Sequence, residues 1–530
     1  MNLLADCWLS VIRADGTKSQ IAPWQIAETD NPVVELAAPR PDFQGALYQF
    51  LIGLLQTTFA PEDSDEWLEF WRRPPEDQQL KGIFAQFSEA FELDNPDGAA
   101  FLQDMDFNFP DDKPKPVAAL LIESPGGKTR KDNLDHFVKG GRVEQMCPSC
   151  AAMALFTLQA NAPSGGVGHR VGLRGGGPLT TLVIPESAVT LWQKLWTNVL
   201  TEDEFEEKLP EPDSSVLPWL AATRCSDKTG QSTFPEDVHP LQQYWGMPRR
   251  IRLNTEDNEA CCCSLCGIQT QQSVKSFRTK NYGTNYDGPW SHPLTPYRFD
   301  PKKKNIPLSL KGQQGGLGYR HWLGLAWQDD GSGDRAAVIV RVFNEERIDL
   351  IDAAGHARLW CFGYDMDNMK ARCWYEHTLP LLYISEQRQS LFFASVAQLL
   401  AAAKDAVFLL RGQVKAAWFK RPAEAKGDMS LVVSEFWQQT EADFYRQLNA
   451  LSQLPYELRQ IPSDIAQRWL ATIQTTAMKL FDQWTMEGNV EDMNMKRIIK
   501  ARLELEKKLS NAGPFKELRQ IAQAEKEVLA

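Results

Sequence analysis

Two cysteine pairs, far apart along the chain, constrain how it can fold. Cys147 and Cys150 form one C-x-x-C pair, and Cys263 and Cys266 form a second pair more than a hundred residues later. A C-x-x-C turn presents two thiolates to one ion, and two such pairs are typical of a four-coordinate zinc site. We therefore predict a zinc-type four-cysteine clamp on these residues. Because protein would fill every ligand position, the predicted Zn²⁺ is structural rather than catalytic.

The sequence leaves alternatives for this clamp. Cys261 and Cys262 adjoin the second pair, and we favour Cys263 because it repeats the spacing of the first pair and Gly267 follows. A redox role is the rival interpretation, but neither pair lies in a thioredoxin-like βαβ pattern. The chain has no amino-terminal signal-peptide pattern, and its ten cysteines are clustered. These features favour a reducing, cytoplasmic setting over a disulfide framework.

A glycine-rich segment follows the first cysteine pair. An apolar, helix-like run ends near Pro163, and His169, Arg170 and Arg174 follow a short loop, Ser164-Gly165-Gly166-Val167-Gly168. Glycines allow positive φ and let the backbone approach another surface, and consecutive amides can bind an anion. The segment matches neither a P-loop nor a dinucleotide-binding fingerprint. We interpret it as a loop held against a phosphate-rich partner, with a flexible connector as the alternative.

The charge of the chain is unevenly distributed. The net charge is −12, and residues 1–125 carry 8 basic and 22 acidic side chains, whereas residues 245–312 carry 11 basic and 5 acidic ones. A basic segment in an acidic protein indicates a local site for a polyanion, although a solvated face would look the same. Within it, basic and aromatic residues alternate over residues 275–296, a mixture that suits contact with nucleic acid.

The pattern of elements predicts an α+β fold in two domains. Residues 1–384 are predicted to form a mixed α/β body that carries the clamp, with strands at residues 321–327 and 336–343. From about residue 385 glycine becomes scarce and apolar residues recur at helical spacing. We predict a four-helix bundle over residues 385–530. No run of about 18 apolar residues occurs, so we expect no membrane span and no membrane partner.

The motifs of common enzymes are missing from the sequence. H-E-x-x-H, G-x-S-x-G and P-loop patterns do not occur, and the seven histidines are scattered. We therefore expect a protein without catalytic activity. A metal-dependent nuclease assembled from distant residues is the enzymatic alternative.

Several longer motifs resemble one known family. The sequence is similar to the CasA family, the large subunit of Cascade, the type I-E CRISPR surveillance complex. The resemblance covers nearly the whole chain and is carried by MNLLADCW at the start, ANAPSGGVG, VGLRGGGPLTTLV, CSLCG, WSHPLTP, GYDMDNM and the helical end. The glycine run joined to LRGG is the most specific of these motifs.

The resemblance implies a function in RNA-guided antiviral defence. CasA-like subunits are not catalytic and lie near the 5′ handle of the guide crRNA, beside the other Cascade proteins. They recognise the protospacer-adjacent motif (PAM) of double-stranded target DNA from the minor groove and help to open the duplex. They also help to recruit the helicase-nuclease. In such complexes the protein recognises the short motif, and base pairing recognises the rest.

The resemblance also assigns roles to individual positions. The PAM-recognising glycine loop corresponds to Ser164, Gly165, Gly166, Val167 and Gly168, where the serine and valine depart from a more glycine-rich pattern. The family's lysine finger falls at Lys280 or Asn281. The duplex-opening wedge falls at Asp367, Asn368 and Met369, with Asn368 where some relatives have glutamine. The guide-contacting loop corresponds to residues 124–146. In that loop we expect Phe137 to stack on a base, and Lys128, Arg130 and Lys131 to contact phosphates. The four cysteines match the family's zinc-type cysteines.

The main alternative within this class is a purely architectural subunit. Such a protein would be a zinc-clamped scaffold that holds its neighbours without recognising a DNA motif.

Overall fold

The computed structural model describes residues 1–96, 98–105, 114–124, 141–205, 211–227, 231–302, 304–351, 357–367, 370–455, 458, 460–487, 493–511 and 513–528. Contacts divide the chain into two compact units. The first unit comprises Met1–Gly312 and Gly333–Thr378, and the second comprises Gln313–Ser332 and Leu379–Ala530. The mixed α/β class with a helical carboxy-terminal region is confirmed.

The strands are short except in two hairpins. They are β1 Leu9–Arg13, β2 Lys18–Ile21, β3 Val33–Leu36, β4 Lys115–Pro116, β5 Thr180–Pro185, β6 Arg250–Cys262, β7 Gln269–Lys280, β8 Tyr297–Arg298, β9 Leu308–Ser309, β10 Gln328–Asp329, β11 Asp334–Arg335, β12 Ala357–Asp367 and β13 Lys370–Leu381. The long hairpins are β6–β7 and β12–β13, and they position the candidate site.

Helices of very different lengths connect these strands. The α-helices before the last region are Pro41–Thr58, Ser64–Arg72, Asp77–Ala85, Pro148–Asn161, Leu191–Trp196, Glu202–Phe205, Trp322–Ala326, Val338–Val342 and Ile348–Leu350. A π-helical turn spans Phe343–Arg347. Single 3₁₀ turns are Pro23–Ala27, Ser88–Phe91, Val117–Leu120, Pro218–Leu220, Pro235–Asp237, Pro240–Trp245, Tyr319–His321 and Pro422–Glu424.

The core of the first unit is built around the helix Pro41–Thr58. Pro41 occupies its first turn, where a missing N–H costs nothing. Most residues of the helix are buried, as expected for a helix that is apolar around most of its circumference. Phe50 at its centre contacts aromatic rings edge-on at centroid distances of 5.7–6.2 Å; these rings belong to Trp8, Phe91, Phe101, Phe156 and Trp245. The helix Pro148–Asn161, which leads into the glycine loop, contributes Phe156 and is therefore fixed to this core.

Two antiparallel sheets carry the predicted site residues. In the first, β7 lies between β4 and β6, with Lys115 opposite Phe277 and Arg250 opposite Lys280. In the second, β12 lies between β5 and β13, with Phe362 opposite Thr180. β5 directly follows the glycine-rich segment, so that segment is anchored to the second sheet.

The second unit is helical. After residue 385 its described residues form five α-helices: Glu386–Trp418, Ser430–Ser452, Ser463–Met486, Met495–Asn511 and Gly513–Val528. We predicted a four-helix bundle for this region, and the five helices do not confirm it. The buried Trp469 donates its indole N–H to the Leu399 carbonyl oxygen at 2.9 Å, which ties the third helix to the first.

One helix of the second unit also satisfies a simple membrane-span test. Among the described residues, Glu386–Trp418 alone is long and apolar enough to cross a bilayer, and half of its most apolar window is buried in the fold. Core helices of other proteins pass the same test, so the finding is weak on its own.

Two predicted strands are wrong. Residues 321–327 instead contain the helix Trp322–Ala326, and residues 336–343 contain the helix Val338–Val342. In both segments most apolar side chains are buried, and a short apolar run cannot be assigned to strand or helix by periodicity alone. The β-branched residues Val338, Ile339 and Val340 favour a strand locally, but the surrounding fold overrides this preference.

Candidate nucleic-acid interface and metal centre

The structure brings the four predicted cysteines together. The Sγ atoms of Cys147, Cys150, Cys263 and Cys266 all lie within 4.8 Å of one another, and those of Cys147 and Cys266 are 3.7 Å apart. Zn–S bonds of about 2.3 Å in a tetrahedron would place sulfur atoms about 3.8 Å apart. The donor set and its spacing therefore fit a tetrahedral metal ion. The neighbouring Cys262 is exposed and its Sγ lies near the Gly267 carbonyl oxygen, at 3.4 Å.

Backbone contacts hold the two halves of this cysteine cluster in place. Cys147 is the first residue before the helix Pro148–Asn161, and its Sγ accepts a hydrogen bond from the Cys150 N–H at 3.4 Å. On the other side, the Gly267 N–H donates to the Cys263 carbonyl oxygen at 3.0 Å, and Gly267 has a φ of +75°. Such a turn favours glycine. The Ser264 N–H also donates to the Gln145 carbonyl oxygen at 3.0 Å, which joins the two segments directly.

Crowding separates the pKa values of these thiols. Hydrogen bonds with Cys147 and Cys263, together with burial, raise the pKa of Cys150. Hydrogen bonds from Cys147 and Cys150 lower the pKa of Cys263. Four thiolates so close together would repel one another, so all of them can be deprotonated only beside a cation. A bound metal ion would meet that electrostatic requirement and would lock the two segments together.

The first half of the glycine segment lies against the end of β7. The Tyr282 N–H donates to the Gly168 carbonyl oxygen at 2.8 Å. A Cβ atom on Gly168 would lie 2.7 Å from the Tyr282 nitrogen and 2.8 Å from Asn281 Cβ, and Gly168 has a φ of +72°. Both the close approach and the conformation therefore require glycine. The predicted glycine loop and the predicted lysine finger, Lys280 or Asn281, are neighbours in the fold.

The tip of this loop is open to solvent. Ser164 and Gly166 are exposed, and Val167 exposes 72% of its surface, the joint highest value among the large apolar residues that are exposed. Singly exposed apolar residues are common on protein surfaces, so Val167 does not by itself identify a partner. The loop thus presents small residues and one apolar side chain.

The second half of the glycine segment lies under the hairpin β12–β13. A Cβ atom on Gly177 would lie 2.8 Å from Met366 Cγ and 3.0 Å from Tyr364 Cβ, and Gly177 has a φ of +61°. The chain between Gly165 and Gly177 therefore runs from the end of β7 to the strand that leads to Asp367. We call residues 165–177 the glycine bridge.

An ion pair stiffens the hairpin near its turn. Arg372 donates two hydrogen bonds to the buried Asp365 carboxylate, at 2.9 and 2.7 Å, and its Nη1 is 4.0 Å from Asp367 Oδ2. Asp367 is exposed at the end of β12. Asn368 and Met369, the other two predicted wedge residues, lie outside the described residues. The structure therefore places the stem of the predicted wedge, and it places the glycine bridge beside that stem.

The predicted guide-contacting residues cannot be located. Lys128, Arg130, Lys131 and Phe137 all lie outside the described residues, so their roles remain predictions.

Two arginines of the glycine segment support the fold. Arg174 is buried and donates to Gln49, Thr180 and Thr295 at 2.6–3.1 Å. Burial lowers the pKa of Arg174 to about 10. Arg170 donates to the side chain and carbonyl oxygen of Ser226, at 2.7 and 3.0 Å. These two guanidinium groups are therefore held by hydrogen bonds within the fold.

Sequence analysis missed two residues that organise the loop. Ser226 is fully buried, and its N–H donates to the Tyr282 carbonyl oxygen at 3.1 Å while it binds Arg170. Tyr282 has a φ of +62°, which is uncommon for a residue other than glycine. Nothing in the local sequence pattern identifies Ser226. Tyr282 lies between an asparagine and a glycine, in the Asn-Tyr-Gly sequence of residues 281–283, and that composition indicates a turn.

Comparisons with known proteins give one consistent result. The sequence profile of the family described as CRISPR-associated protein Cse1 matches residues 2–480. The structure of Thermus thermophilus CasA (Cse1) is similar with a TM-score of 0.66 and 17% identity, covering 98% of each chain. Thermobifida fusca Cse1 gives a TM-score of 0.69 and 18% identity, covering 98% of each chain. A chain of a CRISPR RNA-guided surveillance complex gives 0.65 and 15%, covering 96% of this chain and 99% of that chain.

Proposed function

Since this chain belongs to the Cse1 (CasA) family of CRISPR surveillance complexes, we propose that it is the Cascade subunit that recognises the PAM in double-stranded DNA and helps to open the duplex. It acts without catalysis of its own, in the cytoplasm. Its partners are the other Cascade proteins, the guide crRNA and the target DNA, and it helps to recruit the helicase-nuclease that degrades the target.

The glycine bridge is the observation that carries this proposal. Its first half lies against Asn281 and Tyr282, and its second half lies against Tyr364 and Met366. Recognition of a motif and opening of the adjacent base pair must occur at neighbouring positions on DNA. A single short segment that touches both predicted elements supplies such a connection.

The chemistry of the loop suits the minor groove. That groove is about 6 Å wide and offers few hydrogen-bond groups that distinguish one base pair from another. A protein that recognises it therefore depends more on close approach of its backbone than on many side-chain contacts. Ser164, Gly165 and Gly166 offer small side chains and backbone amides near the exposed part of the loop. Val167 is the departure from a glycine-rich loop, and we expect its methyl groups to restrict which base pairs are accepted.

The free energy that the wedge must supply to open the duplex is small. Separating one base-pair step costs roughly 1.4 kcal/mol of stacking energy. Met369 offers an apolar body for insertion, and Asn368 offers an amide that can hydrogen-bond to an exposed base edge. The Arg372–Asp365 pair would hold the hairpin stem against the force of insertion.

The metal has an architectural role in this proposal. A Zn²⁺ ion on Cys147, Cys150, Cys263 and Cys266 would join the start of the helix Pro148–Asn161 to the hairpin β6–β7. The glycine loop follows that helix, and the Lys280–Asn281 segment ends that hairpin. The ion would therefore fix the two sides of the recognition site relative to each other.

The test replaces Asn368 and Met369 with alanine together in the guide-loaded complex. We expect binding to a PAM-containing duplex to weaken about tenfold, the equivalent of one unstacked step. Binding to a target whose first base pairs are already open should not change. The matched control is Glu376→Ala with Thr378→Ala, which alters two exposed residues on β13 away from the turn.

Two results would contradict the proposal. An equal loss on duplex and pre-opened targets would assign the hairpin a general DNA contact rather than duplex opening. No loss on either target, together with motif-independent binding, would favour the architectural scaffold.

A further inference from the structure

A cavity lies next to the glycine loop and is lined in part by Pro163, Gly165 and His169. Its volume is about 220 Å³. One wall is apolar and includes Leu121, Ile122 and Leu158. The hairpin β6–β7 forms another wall through Ile251 and Phe277. The cavity is therefore lined by the hairpin β6–β7 and by apolar side chains of the segments beside it.

Basic side chains also line the cavity. Lys115, His169 and Arg249 line it, and none of the described lining residues is acidic. Basic groups gathered around one cavity repel one another, and an anion bound between them would offset the free energy that this repulsion costs.

Arg249 provides the most specific sign of a missing ligand. Only 9% of the residue is exposed. One of its Nη atoms donates to the Pro163 carbonyl oxygen, but its Nε is buried and has no hydrogen-bond partner in the described part of the chain. A buried donor without a partner, on a charged group, destabilises the fold, so its retention calls for an explanation.

The neighbouring arginines behave differently. Arg250 forms an ion pair with Asp104, and Arg252 donates to the carbonyl oxygens of Asn95 and Gly98. Burial lowers the pKa of Arg249 to about 10, so its guanidinium remains charged at neutral pH. Burial, then Arg249 and Lys115, lower the pKa of His169 to about 4. At neutral pH the cavity thus holds two cations and a neutral imidazole.

We propose that this cavity binds one phosphate of a nucleic-acid strand, with the adjoining sugar against its apolar wall. Arg249 and Lys115 would contact the phosphate oxygens, and His169 would donate a hydrogen bond. Whole small-molecule sites measure about 300–1,000 Å³, so the cavity suits part of a strand rather than a free cofactor. The preference for phosphate follows from the cavity itself, whereas nucleic acid as its source rests on the proposed function.

The experiment follows the imidazole signals of the full chain labelled with ¹³C-histidine. His169 is assigned by its loss in His169→Gln. The probes are the dinucleotides pUpU and pdTpdT, which separate RNA from DNA, then inorganic phosphate, and a Glu-Glu dipeptide as a protein-like anion. We expect either dinucleotide to shift the His169 signal and to raise the pKa of His169, because a bound phosphate favours the protonated ring.

Substitutions then test which groups hold the phosphate. Arg249→Gln should weaken dinucleotide binding about tenfold, the effect of one lost charge-assisted hydrogen bond. Because Arg249 is buried and its variant can misfold, Lys115→Gln, at an exposed position on β4, provides a second test with loss in the same direction. Arg358→Gln removes one charge from an exposed position on β12 outside the cavity and should leave binding unchanged.

The outcomes separate this inference from the proposed function. Dinucleotide binding that is unaffected by Lys115→Gln and Arg249→Gln, or no His169 shift with any dinucleotide, overturns the inference. Preferential binding of the dipeptide also overturns it, because it would point to a protein ligand. If the dinucleotide binds as expected but the guide-loaded complex shows no PAM dependence, the cavity stands and the proposed function fails.

Discussion

Gly168 shows at the residue scale what a sequence can and cannot predict. The run of glycines predicts backbone freedom and a close approach, and both are found. Gly168 approaches Asn281 and Tyr282, which lie more than a hundred positions later in the sequence. No local sequence pattern identifies these two residues. The same limit applies to the arginines of this region. The sequence does not distinguish Arg174 from Arg249, whereas the structure shows that their surroundings differ.

Replacing Gly168 with alanine should disturb both sides of the recognition site. The new Cβ would lie 2.7 Å from the Tyr282 nitrogen at a φ of +72°, so steric and conformational costs add. We expect PAM-dependent binding to fall at least about tenfold and the free energy of unfolding to drop by roughly 2 kcal/mol. Duplex binding and thermal melting of the same preparations measure both effects.

Two other glycines serve as controls. Gly166 has a φ of +73° but open space around it, so Gly166→Ala should lower the free energy of unfolding by only about 1 kcal/mol. Gly82 lies at an exposed position of the helix Asp77–Ala85 with nothing nearby, and Gly82→Ala should be neutral or slightly stabilising. If Gly168→Ala changes DNA binding and the free energy of unfolding no more than Gly82→Ala does, the contact with Tyr282 contributes to neither.

At the scale of elements, the cysteine cluster was the most predictable feature. The repeated spacing selected Cys263 over its neighbours Cys261 and Cys262, and the structure places Cys263 in the cluster. Spacing is informative here because a metal ion requires a fixed number of ligands at fixed distances. The buried apolar segments at residues 321–327 and 336–343 impose no such requirement, and there the predicted strands were wrong.

If the proposed zinc site is correct, each chain binds one zinc ion, and replacing any of the four ligand cysteines releases that ion. Cys150→Ser should release the metal and lower the melting temperature by several degrees, because the clamp joins segments distant in sequence. Metal binding should also weaken as the pH falls. The raised pKa of Cys150 means that its thiol is protonated without metal, so binding must release a proton.

Cys262→Ser is the matched control for this substitution. Cys262 adjoins the second pair but is exposed and outside the cluster, so its variant should keep both metal and stability. Elemental analysis and melting curves of the three proteins make the comparison. Equal metal loss in both variants, or purified wild-type protein without metal, would contradict the zinc assignment.

At the scale of the whole molecule, the family was predictable and the arrangement of its parts was not. The motifs that carried the resemblance extend along the chain, and the Cse1 profile matches residues 2–480. The helical region was also predicted, because long amphipathic helices have a clear period. Inclusion of residues 313–332 in the helical unit depends on distant contacts, such as Tyr319 stacking on Phe444 at 4.4 Å, which no local pattern encodes.

The net charge of the molecule bears on the proposed DNA contact. At −12, the chain as a whole would repel nucleic acid, so the proposed binding would depend on a small surface and on the other subunits of the complex. We therefore expect the isolated chain to bind DNA weakly and to contribute specificity mainly within the guide-loaded complex.

The most direct measurement is duplex-DNA binding by the guide-loaded complex, with and without this chain, over a randomised set of sequences flanking the target. We predict that adding the chain produces tight binding confined to a few flanking motifs. Binding that is unchanged by the chain, or equally tight for all flanking sequences, would contradict PAM recognition and leave an architectural scaffold.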